Sequence, residues 1–276
     1  MHEDPPSANP AEVYTHGHHA SVLRSHRWRT AENSAGYLLP LLKAGQHLLD
    51  LGCGPGTISI DLARRVAPGQ VLGVDREETP LQEARAGAAD HRVENVRFEV
   101  GDAYRLGYPD ASFDIVHAHQ VLQHLSDPVA ALVEMRRVCK PGGCVAARDA
   151  DYQAMSWYPA DPRLDRWLEL YRQVTRSNHG EPDAGRRLLS WAREAGFGDI
   201  TSSASAWCFA TAEDRAWWGG LWAERVTRSA LAEQALARGL ATRAELAELA
   251  EAWRHWARHD EGWFAVLHGE ILCAVT

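Results

Sequence analysis

The stretch Leu48-Leu-Asp-Leu-Gly-Cys-Gly-Pro-Gly56 joins a short apolar segment to a glycine-rich turn, and a helical pattern follows over residues 57–66. A strand that passes through such a turn into a helix is typical of doubly wound parallel sheets, in which ligands bind beyond the carboxyl ends of the strands. Glycines let the backbone turn sharply and approach a ligand closely. The dinucleotide fingerprint would require glycine at position 57, where Thr57 stands. The stretch therefore predicts a ligand-binding loop at the edge of a sheet.

Acidic residues stand at the ends of three successive predicted strands. Asp50 precedes the first glycine by two positions, where a carboxylate disfavours a pyrophosphate but suits a cationic amino-acid moiety. Asp75 can accept hydrogen bonds from both hydroxyls of a ribose, as the corresponding acid of NAD-binding enzymes does. Asp102 can accept a hydrogen bond from an adenine amine, with the backbone of Ala103 contacting a ring nitrogen. A single acid is more often a cap or a solvated charge, but three at consecutive strand ends predict a nucleoside site.

The rest of the chain continues the α/β alternation and then departs from it. Short apolar segments alternate with helical patterns up to about residue 150, which predicts βαβ units and a parallel sheet. Beyond that point a helical block over about 212–260 separates two further apolar segments, and it is too long for a simple connection. We predict an N-terminal helical lid (1–43), a ligand-binding core (44–150) and a region (151–276) that completes the sheet and carries the block as an inserted cap.

Composition and charge exclude several classes of protein. The formal net charge of −8 and the lack of a basic block argue against nucleic-acid binding. Apolar runs are too short to span a membrane, and the first ten residues do not resemble a secretory signal, so we expect a cytoplasmic protein. Five cysteines without a Cys-x-x-Cys pair indicate reduced thiols. The sequence leaves open whether the protein is a monomer or a homodimer.

The motifs together resemble those of class I S-adenosylmethionine-dependent methyltransferases. The matching stretches cover roughly residues 45–150 in the family's order and spacing: Leu48–Gly56, Gly73–Asp75, Gly101–Ala103, Phe113–Val116 with Val121–His124, and Lys140–Gly143. The resemblance implies a seven-stranded Rossmann-like sheet whose last strand, predicted over 263–275, is antiparallel. It implies S-adenosylmethionine as the cofactor and S-adenosylhomocysteine as the product. The cofactor-binding residues that it implies are Asp50, Gly52, Cys53, Gly54, Gly56, Asp75, Arg76, Asp102, Ala103, His119 and Gln120.

A narrower resemblance concerns the substrate. The chain is similar to small-molecule methyltransferases of quinone and natural-product pathways, and residues 14–29 resemble an actinobacterial subgroup. That subgroup includes enzymes that methylate C3 of indole in tryptophan-containing cyclic dipeptides. The resemblance therefore implies C-methylation of an indole as one alternative, and O- or N-methylation of another natural product or quinone precursor as the other.

Methyl transfer from a sulfonium requires alignment of nucleophile, methyl group and sulfur and the exclusion of water, but no metal. A base is needed where the acceptor loses a proton. His119 and Asp149 follow predicted strands at the edge that would face the cofactor, and they are the candidate bases together with Tyr14. Tyr14, His19 and Arg24 belong to the predicted lid, from which His19 and Arg24 can contact the substrate. The histidines near position 16 lack a partner set with zinc spacing, so we predict no metal site.

Ten of the eleven tryptophans lie beyond residue 150. Leu246, Leu249, Trp253 and Trp256 follow a helical spacing that is typical of a core face. Trp217, Trp218 and Trp222 lie in the predicted cap, where aromatic walls suit a flat apolar substrate and a sulfonium. We therefore predict a small aromatic or heterocyclic acceptor. Two other classes of function are an NAD(P)-dependent reductase, against which Thr57 and the absence of a Tyr-x-x-x-Lys pair argue, and a non-catalytic sensor of S-adenosylmethionine.

Overall fold

The computed structural model describes Thr15 and residues 20–276, and a mixed sheet of eight strands forms its centre. Strands β3, β2, β1, β4 and β5 lie side by side in that order and run parallel, and the last strand, β8, runs antiparallel to β5. The predicted α/β class with an antiparallel last strand is confirmed. The strands are β1 (Leu48–Leu51), β2 (Val71–Asp75), β3 (Val96–Val100), β4 (Phe113–His119), β5 (Cys139–Ala150), β6 (Ser156–Tyr158), β7 (Asp199–Phe209) and β8 (Trp263–Ala274).

Strand β8 lies inside the sheet rather than at its edge. One of its sides pairs with β7 over the full register from Asp199–Ala274 to Phe209–Phe264. The other side pairs with β6 near the start of β8 and with β5 along the remainder. The prediction of seven strands is one too few, because β6 has only three residues and an alternating pattern cannot stand out over that length.

Helices cover both faces of the sheet. Among the described residues, no helix has the length and hydropathy that crossing a membrane requires. The described helices are α1 (Ala20–Arg27), α2 (Ala31–Ser34), α3 (Thr57–Val66), α4 (Glu78–Asp90), α5 (Pro128–Val138), α6 (Pro162–Ser177), α7 (Leu188–Glu194), α8 (Ala212–Arg228), α9 (Ala230–Ala237) and α10 (Arg243–Arg258).

Helix α1 lies across the carboxyl edge of the sheet and contacts both halves of the protein. The Thr57 hydroxyl, at the start of α3, donates a hydrogen bond of 3.3 Å to the carbonyl oxygen of His26. Arg27 forms an ion pair with Glu83 of α4, and Arg24 forms one with Glu224 of α8. The helix therefore bridges the glycine turn and the helices beyond residue 150. The exact boundaries of the lid, core and cap stay a prediction.

The late tryptophans build a core of their own between the sheet and helices α6, α8 and α10. The ring of Trp167 meets those of Trp222 and Trp253 edge-on, with centroids 4.6 and 4.7 Å apart. Phe264 of β8 packs against Trp253 with centroids 5.3 Å apart. Such contacts stabilise beyond the area that they bury. The core face predicted for α10 is confirmed, since Leu246, Leu249, Trp253 and Trp256 are all buried.

Two neighbouring glycines of α8 give a matched test of this packing. A Cβ at Gly219 would lie 2.7 Å from Ala257 Cβ and 2.8 Å from the Trp253 carbonyl oxygen, whereas a Cβ at Gly220 would meet nothing within 4 Å. We expect Gly219→Ala to lower the free energy of unfolding by about 1–3 kcal/mol through overpacking. Gly220→Ala should raise it by about 0.5–1 kcal/mol through helix propensity. Urea denaturation measures both changes, and equal stability of the two variants would contradict the close contact of α8 with α10.

Candidate active site

A deep cleft runs along the carboxyl edge of the sheet, beneath α1 and α8. It encloses about 1800 Å³ of space between protein atoms, a figure that includes its open mouth. The residues that line it come from the ends of β1 to β5, from β7 and β8, and from the two covering helices. This is the edge at which ligands bind in doubly wound sheets.

The glycine turn presents bare backbone to the cleft. Gly52 and Gly54 line the cleft with φ of 68° and 54°, a region that strains any other residue. A Cβ at Gly52 would lie 2.3 Å from Val121 Cγ2, so the turn has no room for a side chain there. Cys53 also lines the cleft. These residues fit the predicted contact with the amino-acid part of a sulfonium cofactor.

Gly56 has a different position from the one predicted. It does not line the cleft, and a Cβ added to it would lie 2.7 Å from Ala84 Cβ and 2.8 Å from the Phe98 ring. It is the N-cap of α3 with a φ of 75°. The prediction of a cofactor contact by Gly56 is therefore wrong, because its lack of a side chain serves the packing of α3 against α4 and β3.

Asp50 is buried at the floor of the cleft and is bound on both carboxylate oxygens. Its Oδ1 accepts a hydrogen bond of 2.8 Å from His117 Nδ1, and its Oδ2 accepts one from the Ser59 hydroxyl. These bonds tie β1 to β4 and to α3. Asp50 thus fixes the start of the glycine turn, and it also lines the cleft.

Asp75 and Asp102 stand in the more open part of the cleft. The Asp75 carboxylate accepts hydrogen bonds from the backbone N–H of Gly54 at 2.9 Å and of Glu77 at 3.1 Å. Asp102 is exposed, and its Oδ1 accepts a hydrogen bond of 2.9 Å from the backbone N–H of Tyr104. Two carboxylates beside a bare turn suit a ribose and an adenine amine, so the residues present fit an adenosyl cofactor. Arg76 and Ala103 line the same part of the cleft.

His119 lies at the middle of the cleft, at the end of β4. It is 4% exposed, lines the cleft, and has no hydrogen-bond partner for either ring nitrogen among the described residues. Burial, followed by the positive charges of Arg29 and Arg148, holds the pKa of His119 well below its usual value. The imidazole is therefore neutral near pH 7 and has one nitrogen that can accept a proton or a hydrogen bond.

The side chain of Gln120 lines the cleft and belongs to a hydrogen-bonded chain of side chains. Its Oε1 accepts a bond of 2.6 Å from Arg29, and its amide nitrogen lies 2.8 Å from His268 Nε2. His268 Nδ1 lies 3.0 Å from the carbonyl oxygen of Val266, to which it donates. Gln120 itself has a φ of 53°, which is rare outside glycine. Sequence reasoning missed His268, which belongs to no motif, and Arg29, which ends the stretch 14–29 without a pattern that marks it as a site residue.

Asp149 lies behind the cleft wall, and the prediction that it faces the cofactor is wrong. It is fully buried and does not line the cleft, although its neighbour Ala150 does. Its Oδ1 accepts a hydrogen bond of 3.1 Å from the backbone N–H of Gln123, so it supports the turn after β4. Adjacent residues of a strand point to opposite faces, which explains why Ala150 lines the cleft and Asp149 does not. Burial raises the pKa of Asp149 to about 7.

The candidates from the N-terminal segment have mixed outcomes. Tyr14 and His19 lie outside the described residues, so their roles stay predictions. Arg24 is exposed, does not line the cleft, and forms an ion pair with Glu224, so its predicted contact with the substrate is wrong. Sequence reasoning could not place it because the side of α1 that faces inward depends on the packing against α8.

Aromatic rings line the end of the cleft away from the glycine turn. Trp217, Trp218 and Trp222 line it as predicted, and Trp28, Tyr152 and Trp207 join them. We call these six residues the aromatic walls. The Trp28 ring connects them, with its centroid 5.1 Å from that of Trp207 and 5.3 Å from that of Trp217. Within the described part of the chain, no group of three His, Cys, Asp or Glu residues is arranged to hold a metal ion.

The chain is similar to known methyltransferases over most of its length. The model of the methyltransferase domain family matches residues 42–204, which include the glycine turn, Asp75, Asp102 and His119. The chain is 38% identical to an uncharacterized methyltransferase of Schizosaccharomyces pombe, with 94% of this chain and 95% of the relative covered. It is 31% identical to a probable methyltransferase of Aspergillus luteorubrus, with 96% and 98% covered.

The fold is also found among solved structures. The YcgJ protein of Bacillus subtilis superposes with a TM-score of 0.58 at 22% identity, over 88% of this chain and 97% of that one. At 22% identity, the similarity shows a shared fold alone.

The carboxylate of Asp75 gives a direct test of the ribose contact. We expect Asp75→Asn to weaken the binding of S-adenosylmethionine by about 10- to 100-fold, because a charge-assisted hydrogen bond is replaced by a neutral one. The amide oxygen can still accept from Gly54, which keeps the turn in place. Isothermal titration calorimetry measures the affinity. Glu78→Gln removes the same charge outside the cleft and should leave the affinity unchanged; a twofold effect or less in Asp75→Asn would remove Asp75 from this role.

The buried Asp149 predicts a pH-dependent stability. The folded protein holds the carboxyl proton more tightly than the unfolded chain, with a pKa of about 7 against 3.8. Ionisation therefore opposes folding, so wild type loses stability as the pH rises from about 4 to about 7. We expect Asp149→Asn to gain stability relative to wild type over that window, by on the order of 4 kcal/mol at most. Urea denaturation at pH 5 and pH 8 measures the difference, with exposed Asp90→Asn as control. A pH-independent difference would contradict the raised pKa.

Proposed function

Since the chain belongs to the methyltransferase family whose model it matches, and takes S-adenosylmethionine as its cofactor, we propose that its methyl acceptor is a small aromatic or heterocyclic molecule. The observation that carries the proposal is the continuity of the cleft. The bare glycine turn and the acidic strand ends occupy one end, and the aromatic walls occupy the other, with His119 between them. A flat ring bound against the walls would therefore lie beside the transferable methyl group.

The cofactor, when bound, supplies a methyl group on a positively charged sulfur, which an electron-rich atom of the acceptor displaces in line. The residues of this chain bind the cofactor and the acceptor, orient them, and exclude water from the cleft. The cofactor is bound at one end of the cleft, by the turn at Gly52 and Gly54 and by the carboxylates of Asp75 and Asp102. The aromatic walls remove water from the acceptor and hold its ring, which lowers the entropic part of the barrier.

His119 is the residue that we assign to the acceptor proton. A carbon, nitrogen or hydroxyl nucleophile gives up a proton as its bond to the methyl carbon forms, and a neutral imidazole nitrogen can take it. Both nitrogens of His119 are buried and lack a described partner, and the residue lines the cleft, so an acceptor bound against the ring can give its proton to one of them. Its low pKa keeps the ring unprotonated at pH 6 to 8.

The acceptor atom belongs to the same proposal. Methylation at C3 of the indole in a tryptophan-containing cyclic dipeptide suits the walls, because an indole ring stacks well on tryptophan. A phenol or a quinone precursor that is methylated on oxygen would use the same walls and the same base. The assay below distinguishes these acceptors by the position of the new methyl group.

Incubation with S-adenosylmethionine and a panel of acceptors, followed by mass spectrometry, tests the proposal. The panel consists of cyclo(Trp-Trp), simple phenols and hydroquinones, and cyclo(Leu-Leu) is the matched probe without an aromatic ring. We expect one methyl group to be gained by an aromatic member and none by cyclo(Leu-Leu). Cofactor binding without transfer to any aromatic acceptor, or equal transfer to cyclo(Leu-Leu), would overturn the proposal.

His119→Gln tests the assignment of the base. We expect kcat to fall by about 100-fold or more, with the affinity for S-adenosylmethionine changed by no more than about threefold. Wild-type kcat should stay level from pH 8 to pH 6, since no protonation of His119 occurs there. His91→Gln, at the exposed end of α4, is the control and should keep full activity. Full activity of His119→Gln would end the candidacy of His119.

A further inference from the structure

The charged residues that line the cleft are divided between its two ends. All four described carboxylates that line it follow or end strands β1 to β3: Asp50, Asp75, Glu77 and Asp102. These strands form one half of the sheet, and the aromatic walls lie over the other half. At that second end the charged side chains lining the cleft, within residues 20–276, are the arginines Arg29 and Arg225. Among the described lining residues, the cofactor end holds four carboxylates against the one arginine Arg76, and the acceptor end holds two arginines and no carboxylate.

Arg225 is built into the acceptor end. It is 4% exposed, lines the cleft, and its guanidinium carbon lies 4.6 Å from the centre of the Trp222 ring. One guanidinium nitrogen donates hydrogen bonds to Ser25 Oγ at 2.9 Å and to the carbonyl oxygen of Ser21 at 3.2 Å. A guanidinium that stacks on an aromatic ring is well suited to a planar oxygen-bearing group next to that ring.

Trp218 adds a second donor on the same face of α8. Residues 218, 222 and 225 are four and then three positions apart, so their side chains project from one side of the helix. Trp218 is 5% exposed and lines the cleft, and its indole N–H has no hydrogen-bond partner among the described residues. Trp167 and Trp253 share that property but do not line the cleft. A buried donor that stays unsatisfied is costly, so a ligand oxygen would be stabilised here.

Positive charge also acts on the interior of the cleft. Burial, and after it the charge of Arg29, lowers the pKa of His124 to about 3, and His124 lines the cleft. A further cation is disfavoured in such surroundings and an electron-rich oxygen is favoured. This effect agrees with the geometry of Arg225 and Trp218.

We propose that the methyl acceptor carries a carbonyl or carboxylate oxygen next to its aromatic ring, and that Arg225 binds this oxygen while the ring lies against Trp222. Arg225 is then a specificity-determining residue. The inference rests on the proposed function and narrows its substrate class to oxygen-bearing aromatic molecules. Unsubstituted aromatic hydrocarbons and cationic amines are excluded from this substrate class.

Three probes with one ring test the proposal. Indole-3-acetate carries a carboxylate, indole-3-acetamide a neutral carbonyl, and 3-ethylindole no oxygen. Calorimetric titration into the protein saturated with S-adenosylhomocysteine gives their affinities. We expect indole-3-acetate, alone or together with indole-3-acetamide, to bind at least tenfold more tightly than 3-ethylindole. If the acetate alone gains affinity, the oxygen is recognised as an anion; if both gain equally, it is recognised as a hydrogen-bond acceptor, and either result supports the proposal.

Variants of Arg225 test whether this residue causes the higher affinity of the oxygen-bearing probes. Arg225→Met keeps the length of the stem and removes the donors, so the three affinities should converge to within threefold. Arg225→Lys keeps the charge and should retain part of the discrimination, which provides a second variant if the methionine variant folds poorly. Ser25→Ala removes the bond that holds the guanidinium to α1 but leaves the guanidinium itself, and it should keep the discrimination.

The outcomes separate this inference from the proposed function. Equal affinities in the wild type, or discrimination that survives in Arg225→Met, would overturn the role of Arg225 and leave an aromatic acceptor standing. A tenfold loss of S-adenosylhomocysteine affinity in Arg225→Met, with discrimination intact, would assign Arg225 to the cofactor instead and overturn it as well. Failure of all three probes to bind would count against the aromatic acceptor itself.

Discussion

The hydrogen bond between Asp50 and His117 joins the two central strands at the point where the cleft opens. Asp50 is the penultimate residue of β1, next to the glycine turn, and His117 lies two residues before His119 on β4, on the same face of that strand. The pair therefore fixes the bare turn and the candidate base relative to one another. Both groups are buried, and a buried carboxylate needs such partners to remain in place. The acidic strand ends and the cleft wall are arranged around this contact.

The acceptor end depends on parts of the chain that come together only through tertiary packing. Helix α8 contributes the stripe of Trp218, Trp222 and Arg225, and α1 is held against it by Ser25 and by the ion pair of Arg24. The tryptophan core behind α8 keeps that stripe rigid. A rigid apolar wall next to a polar turn is what allows one cleft to bind two chemically different molecules at a defined distance.

The cofactor end of the site was largely predictable from the sequence, and the acceptor end was only partly so. The glycine turn, Asp75 and Asp102 are local motifs, in which spacing along the chain determines position at a strand end. Asp149 was misplaced because strand parity depends on a register that the sequence does not reveal, and the exchange of Asp149 for Ala150 is a shift of one residue. His268 contacts Gln120 across 148 positions of the chain. No local pattern indicates a contact of that separation.

The insertion of β8 between β5 and β7 has a consequence for the synthesis of the protein. His268 and Val266, which support the cleft, lie on β8, which follows every other described strand in the chain, and β7 has no partner in the sheet other than β8 among the described residues. The sheet therefore cannot close until β8 has been synthesised. A nascent chain that stops before β8 displays an incomplete sheet edge, a feature that promotes aggregation, and its cleft lacks Val266 and the support of His268.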